Sequence, residues 1–445
     1  MFRTTQYPIS VLVCFVMLII TTAVSEANEG ILIQNVTLID GTGRAPTENT
    51  YVLIEDKRFA AISDTEIVPP VGTRIIDGTG KFLIPGLIDS HIHLPGGRTG
   101  PGNRQMIMDP ETGVRILHGF LYAGVTAVYD SGNHAAYIHK MRADERAGLI
   151  LSPRIYATIS LIAPPNGHGC CAGGTVVTNY EDGVDKLKAL FKLEPDLLKF
   201  TRERRGMGPV GRNMPLIDAN TMNRLMIYAH ENGIRTTVHV SEQALAKEAI
   251  EAGADAFAHT IYLDEADSDF ANLVAASNIV VCSTIIRQEA DLTFLNDPLF
   301  AALLTPEEIA STMTNERFSG GPFTQWLKSL RPAILNNIRQ LYEAGVVISA
   351  GTDRTIGAMI HQEMQLINEA GLPPLEALKT ATLNAATYIG VEDKIGSIEV
   401  GKLADMILLS QNPSISIANT KSIESVFKGG REIERSKLDV PINRG

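Results

Sequence analysis

MNRLMIYAHENGIRTTVHVSEQALAKEAIEAGADAFAHT, residues 222–260, holds one phrase twice. Met222 to Asn232 has the pattern of a helix, Gly233 ends it, and RTTVHV (235–240) is an apolar, β-branched run that reads as a strand. Ser241 to Ala252 repeats the helix, Gly253 the stop, and DAFAHT (255–260) the strand. Strands that alternate with helices in this way read as βα units laid into a parallel sheet. Both strands reach a histidine as they finish, His239 and His259.

The phrase continues in both directions. Further strand-like runs occur at LIPGLIDSHIHL (83–94), VTAVYD (125–130), RIYATI (154–159), DLLKF (196–200), NIVVCST (278–284) and VVISAGTD (346–353). A helical stretch at Ile334 to Ala344 and stops at Gly124 and Gly345 fit the same alternation. Eight strands alternating with helices predict an α/β fold, a (β/α)8 TIM-like barrel over residues 85–390. A doubly wound open sheet is the alternative, but no Gly-rich phosphate loop follows the first strand. Residues 287–330 are long for a βα connection and carry helical pieces of their own, as a lid insertion would.

The two ends look different. ILIQNVTLI, YVLIE, AAISD and TRIID lie before Lys81, and GSIEV, ADMILL and ESVFKGG after Lys394, all bounded by turn residues. Short strands with such punctuation predict antiparallel pairing. Residues 28–84 and 391–445 are therefore expected to share one composite β-sandwich domain.

The chain has 445 residues, a net charge of -11, 44% hydrophobic and 20% charged residues. That is the composition of a globular enzyme with a sizeable core. Its acidity argues against a nucleic-acid partner, which would want a basic face. At the N-terminus, Arg3 precedes an apolar run from Ile9 to Ile20, followed by small residues up to Ser25-Glu26-Ala27. This is the layout of a cleaved secretory signal over residues 1–27, and it predicts export to the periplasm or exterior. The run is short for a membrane anchor, and no stable span is expected after cleavage. Of the four cysteines, Cys170, Cys171 and Cys282 would remain. An odd number and a vicinal pair predict thiols, with a bridge from one of the pair to Cys282 as the alternative.

In a barrel, chemistry sits where strands finish. The strand ends here carry His91 and His93, Lys199, His239, His259 and Asp353. His91 and His93, two apart on a strand, project to the same side, and two converging imidazoles suit a divalent transition metal. Four of the ten histidines occupy such ends. His168, in the loop after the third strand, is a candidate substrate contact. Lys199 is costly to bury charged, unless it reaches solvent or pairs with Glu194 or Asp196.

These residues resemble a known family. PGLIDSHIH (85–93), AGTD (350–353) and IGSIEVGKLAD (395–405), with GHG (167–169), DLLK (196–199) and AFAH (256–259), are similar to the amidohydrolase superfamily, within it the imidazolonepropionase-like and prolidase-like hydrolases. The resemblance spans almost the whole chain after the leader. It implies that His91, His93 and Asp353 hold a buried metal and His239 and His259 a more exposed one. It further implies that Lys199, carboxylated by carbon dioxide, bridges two zinc ions or other divalent metals. The implied reaction is hydrolysis of a C–N bond in a dipeptide or N-acyl amino acid. A water between the two ions attacks, with Asp353 as general base and then acid.

Two rivals remain open at this point. His239-Val240-Ser241-Glu242 resembles the His-x-x-Glu of deaminases or cyclic-amide hydrolases with one metal, where Glu242 would carry protons. A non-catalytic metal-binding protein is the other. The substrate is expected to be a small molecule bearing a carboxylate, for which Arg202, Arg287 and Arg354 are candidate receivers. Association into a homo-oligomer is compatible with this reading.

Overall fold

The computed structural model describes residues 30–94, 108–170, 173–315 and 319–444; the signal segment expected at 1–27 lies outside them. Eight strands run parallel in chain order: Leu87–Ile92, Val125–Asp130, Arg154–Ala157, Leu198–Thr201, Thr236–His239, Ala256–Phe257, Val280–Cys282 and Ile348–Ser349. The first three form one ladder. The last five form another, extended at the fourth strand by Ile162–Ala163 and Thr175–Val176. Bonds outside the ladders join the two arrays at both edges. Ser90 N donates to Ala350 O (3.1 Å) and Asp353 N to His91 O (2.7 Å), which ties the eighth strand to the first. Asp196 N donates to Ala157 O (3.0 Å) and Lys199 N to Thr158 Oγ1 (2.8 Å), which ties the third to the fourth.

These strands are short and, apart from Arg154 and Tyr156 in the third, buried, because apolar residues face both the interior and the surrounding helices. The helices explain themselves locally. Asp109 accepts from Thr112 N (3.1 Å) and Pro110 opens the first turn of the helix Pro110–Tyr122. Its amphipathic face buries Leu117, Phe120 and Leu121. Gly124, Gly233, Gly253 and Gly345 all take the positive φ that turns a helix end toward the next strand. The expected helix at Ile334 is longer than its pattern suggested. It runs from Pro322 to Glu343 and carries Pro332 inside it. Residues 287–330 contain the helices Pro298–Leu303 and Pro306–Met313 and the start of that long helix.

The chain ends meet in one eight-stranded sheet. Met406–Leu409 lies antiparallel to Phe82–Pro85, so the C-terminal segment is zipped onto the segment that enters the first parallel strand. Ile31–Leu38 branches the sheet: its first half pairs with Arg74–Asp77 and its second with Phe82–Pro85. A separate core of Ile33, Val36, Val52, Phe59, Leu83, Met406 and Phe427 fills it. No described helix is long and apolar enough to cross a membrane.

Candidate metal centre

Parallel strands deliver their C-terminal ends to one side, and the histidines arrive there in a row. Ring centroids lie 5.3 Å apart for His93 and His91, 4.5 Å for His91 and His259, 4.6 Å for His259 and His239, and 4.2 Å for His239 and His168. Ligand atoms of His91, His93 and Asp353 all lie within 4.8 Å of one another. Lys199 Nζ is 3.3 Å from His91 Nε2.

The outer partners decide which nitrogen faces the centre. His91 Nδ1 is 2.8 Å from Ala258 O, and His93 Nδ1 is 2.7 Å from Gly132 O. A carbonyl only accepts, so both Nδ1 atoms carry the proton and both Nε2 atoms present lone pairs. Those two Nε2 atoms face each other at 3.4 Å, an arrangement with no proton to share between them. His259 Nδ1 is held by the Thr284 hydroxyl at 2.8 Å. Burial, then the nearby Lys199, pulls the His93 value below the ordinary imidazole range. Burial likewise keeps His91 and His259 neutral. Neutral imidazoles with one carboxylate, already oriented from behind, fit a divalent transition metal.

Buried carboxylates hold this framework. Asp89 accepts from His91 N (3.1 Å), Thr352 N (3.0 Å) and Thr352 Oγ1 (2.7 Å), clamping the first strand to the loop that carries Asp353. Asp130 accepts from Leu94 N (2.8 Å) and Gly132 N (3.1 Å), which sets the carbonyl behind His93. Asp353 and Thr284 both sit at positive φ, 49° and 48°, a conformation costing about 1–3 kcal/mol that surrounding contacts must impose.

Asp353 itself is an anion. Burial pushes its carboxyl up, but the Arg287 guanidinium beside it outweighs that and holds it well below the usual carboxylate range. Arg287 Nε is 2.8 Å from Asp353 Oδ2, and His93 Nε2 is 3.6 Å from Oδ1. Burial pulls the Lys199 ammonium down to about 8, against the opposing pull of Asp353.

A family model described as "Amidohydrolase family" matches residues 82–433. The chain belongs to the amidohydrolase family. A similar protein is the ochratoxinase of Aspergillus niger, 24% identical over 432 residues, covering 88% of this chain and 84% of the relative. The imidazolonepropionase of Fusobacterium nucleatum subsp. nucleatum is 24% identical over 413 residues, covering 86% and 91%. Among solved structures, a Xaa-Pro dipeptidase with methionine bound in its active site superposes with a TM-score of 0.76 at 23% identity, covering 91% of this chain and all of that one. The A. niger ochratoxinase superposes with 0.73 at 21% identity, covering 91% and 95%. At these identities the superpositions speak for the fold alone.

The arginines of this amidohydrolase fall into different roles from those expected. Arg202 is buried; its guanidinium pairs with Glu248 and donates to Ile217 O (2.5 Å). A buried, paired fork has little to offer an incoming carboxylate. Arg354 is packed against Arg287, donating to its carbonyl at 3.3 Å, and burial pulls its value down to about 10. Arg287 is engaged by Asp353, as described. His168 stacks flat on His239, 17° between planes, and so belongs to the cluster. Glu242 is buried with Arg204 Nη2 2.8 Å from its Oε2. Cys282 is a buried thiol, 3.4 Å from the Ser90 hydroxyl and in no disulfide. His361 is fixed in the core between Thr420 Oγ1 and Ala123 O, each at 2.8 Å.

Sequence reasoning missed Glu203. It is 1% exposed, its Oε1 accepts from Arg205 N (2.7 Å) and Gly206 N (2.8 Å), and its Oε2 lies 3.5 Å from His239 Nε2. Its only sequence signal is its place four residues after Lys199, on the same strand exit.

Proposed function

We propose that this chain is a metal-dependent hydrolase of C–N bonds whose substrate is a dipeptide or N-acyl amino acid. The observation that carries this is the facing pair of Nε2 lone pairs on His91 and His93 beside the ionised Asp353. On this reading the two parallel arrays close as one (β/α)8 barrel over 85–390, and 28–84 with 391–445 form the β domain. His91, His93 and Asp353 would hold one zinc ion, and His239 and His259 a second. Lys199 would bridge them as a carbamate: its neutral amine takes up carbon dioxide and releases one proton. The value near 8 supports this, since a useful fraction of the amine is unprotonated at neutral pH.

Bound divalent ions supply an activated water near neutral pH and polarise a carbonyl. Asp353 takes the proton of the attacking water and returns it to the departing nitrogen, which otherwise leaves poorly. His168, over His239, lines the approach. The names of similar structures, a Xaa-Pro dipeptidase and a prolidase complexed with N-methylphosphonate-L-proline, support a carboxylate-bearing substrate. Glu242, already occupied by Arg204, supports hydrolysis over deamination. Export through residues 1–27 completes the proposal.

The test is a screen of dipeptides and N-acyl amino acids on zinc-loaded protein, with metal counted per chain. Release of a free amino acid with two ions per chain is expected. Release of ammonia with one ion would assign a deaminase instead, and no turnover of any amide would reject the reading.

A further inference from the structure

The histidine row contains one member held the opposite way round from its neighbours. His91, His93 and His259 are each gripped at Nδ1, by Ala258 O, Gly132 O and Thr284 Oγ1. His239 has a carboxylate at Nε2 instead, Glu203 Oε2 at 3.5 Å. Both atoms are buried, and among the described residues neither is engaged in a hydrogen bond of ordinary geometry; each is the other's facing polar group.

We infer that Glu203 is the positioning residue for His239: its carboxylate accepts the Nε2 proton and leaves the Nδ1 lone pair for the metal. This rests on the proposed reading of His239 as a ligand. The carboxylate is an acceptor only, so the proton of a neutral His239 must lie on Nε2. Two backbone N–H groups donating to its other oxygen favour the ionised form of Glu203. The segment is anchored on both sides. Arg202 is locked to Glu248, and the amides of Arg205 and Gly206 fix the other carboxylate oxygen. A carboxylate behind a metal-binding imidazole also raises its basicity.

The anchoring makes Glu203→Gln a sharp probe. The amide oxygen must stay with the Arg205 and Gly206 N–H groups, so the NH2 turns to His239 and meets a proton already on Nε2. Relief requires the other tautomer, which puts a proton on Nδ1 and removes the ligand. Metal content and zinc affinity, read by chelator competition, should therefore fall about 10–100-fold for the ion His239 serves, as for His239→Ala. The Glu203→Gln/His239→Ala double variant should lose no more than His239→Ala alone. Glu203→Asp, still an anion that only accepts, should bind between wild type and Gln. Unchanged affinity in Glu203→Gln, a further loss in the double variant, or an Asp variant no better than Gln would each overturn the inference. If His239→Ala itself leaves zinc affinity intact, the reading of His239 as a ligand fails first.

Discussion

His91 Nε2 and His93 Nε2 face each other at 3.4 Å, each ring pinned from behind by a carbonyl oxygen. Residues two apart on a strand project to the same side, but their rings need not converge. They converge here because Ala258 and Gly132, on two other strand exits, each claim one Nδ1. The pair is organised before any ion arrives, which reduces the reorganisation that binding must overcome.

Asp353→Asn should separate binding from chemistry. The amide oxygen can still approach an ion, but the side chain no longer takes up a proton. We expect metal content near wild type and a loss in kcat of about 100–10,000-fold. Steady-state kinetics with parallel metal analysis checks this; retained activity would remove Asp353 from its role.

Gly351 tests the packing behind His91. A Cβ there would stand 2.5 Å from Cys282 Sγ, 2.7 Å from His91 Cβ and 2.9 Å from His91 N. His91 is buried on a strand and cannot retreat alone. Gly351→Ala should weaken zinc binding about 10–100-fold, the range seen when a ligand's support is disturbed. Isothermal titration of the metal-free variant gives the number, and a wild-type constant would show that the strand yields.

Arg142 holds the joint between the third and fourth strands. It is buried, and it donates to Asp196 Oδ2 (2.9 Å), Glu194 O (2.8 Å) and Leu193 O (2.5 Å), while Asp196 Oδ2 accepts from Ala157 N (2.8 Å). Arg142→Ala strands a half-buried carboxylate and two carbonyls. A stability loss of about 3–5 kcal/mol is expected in urea unfolding. A change under 1 kcal/mol would mean that water replaces the guanidinium.

Glu363 should write a pH dependence into stability. It accepts from Ser283 Oγ (2.5 Å), Ile285 N (2.8 Å) and Ile286 N (2.7 Å), shaping the turn that carries Thr284 and Arg287. Burial raises its carboxyl from 4.5 to about 7, against the hydrogen bonds that favour the anion. A raised folded value means the native state holds the proton longer than the unfolded chain. Its contribution is full below pH 4.5, falls as the pH rises toward 7, and is constant beyond. Glu363→Gln loses that slope, and its NH2 facing an amide donor costs about 1–3 kcal/mol. The gap between wild type and variant should thus narrow from pH 4.5 to 8, by urea midpoints. A gap that widens over that range would contradict the assignment.

The sequence alone settled the periodic features. Alternating helices and apolar strands, with glycines at the stops, identify parallel βα units because each unit is dictated by neighbours in the chain. The same periodicity led to the expectation that His91, His93, Lys199, His239, His259 and Asp353 lie at strand ends; in the structure Lys199 is the second residue of Leu198–Thr201 and Asp353 lies four residues beyond Ile348–Ser349. It also suggested that both chain termini build the β domain, since turn residues and short strands recur in each. What it did not reach are contacts between residues far apart in sequence. Asp89 meets Thr352 across 263 residues, Arg287 meets Asp353 across 66, and His91 meets Ala258 across 167. Arg202, Arg287 and Arg354 look alike on paper; Glu248, Asp353 and the Arg287 carbonyl give them three different fates. Glu203 was unreadable for the same reason, because a carboxylate near a strand exit is usually solvated. Only the fold, by closing around it and turning its free oxygen to His239, makes it part of the site.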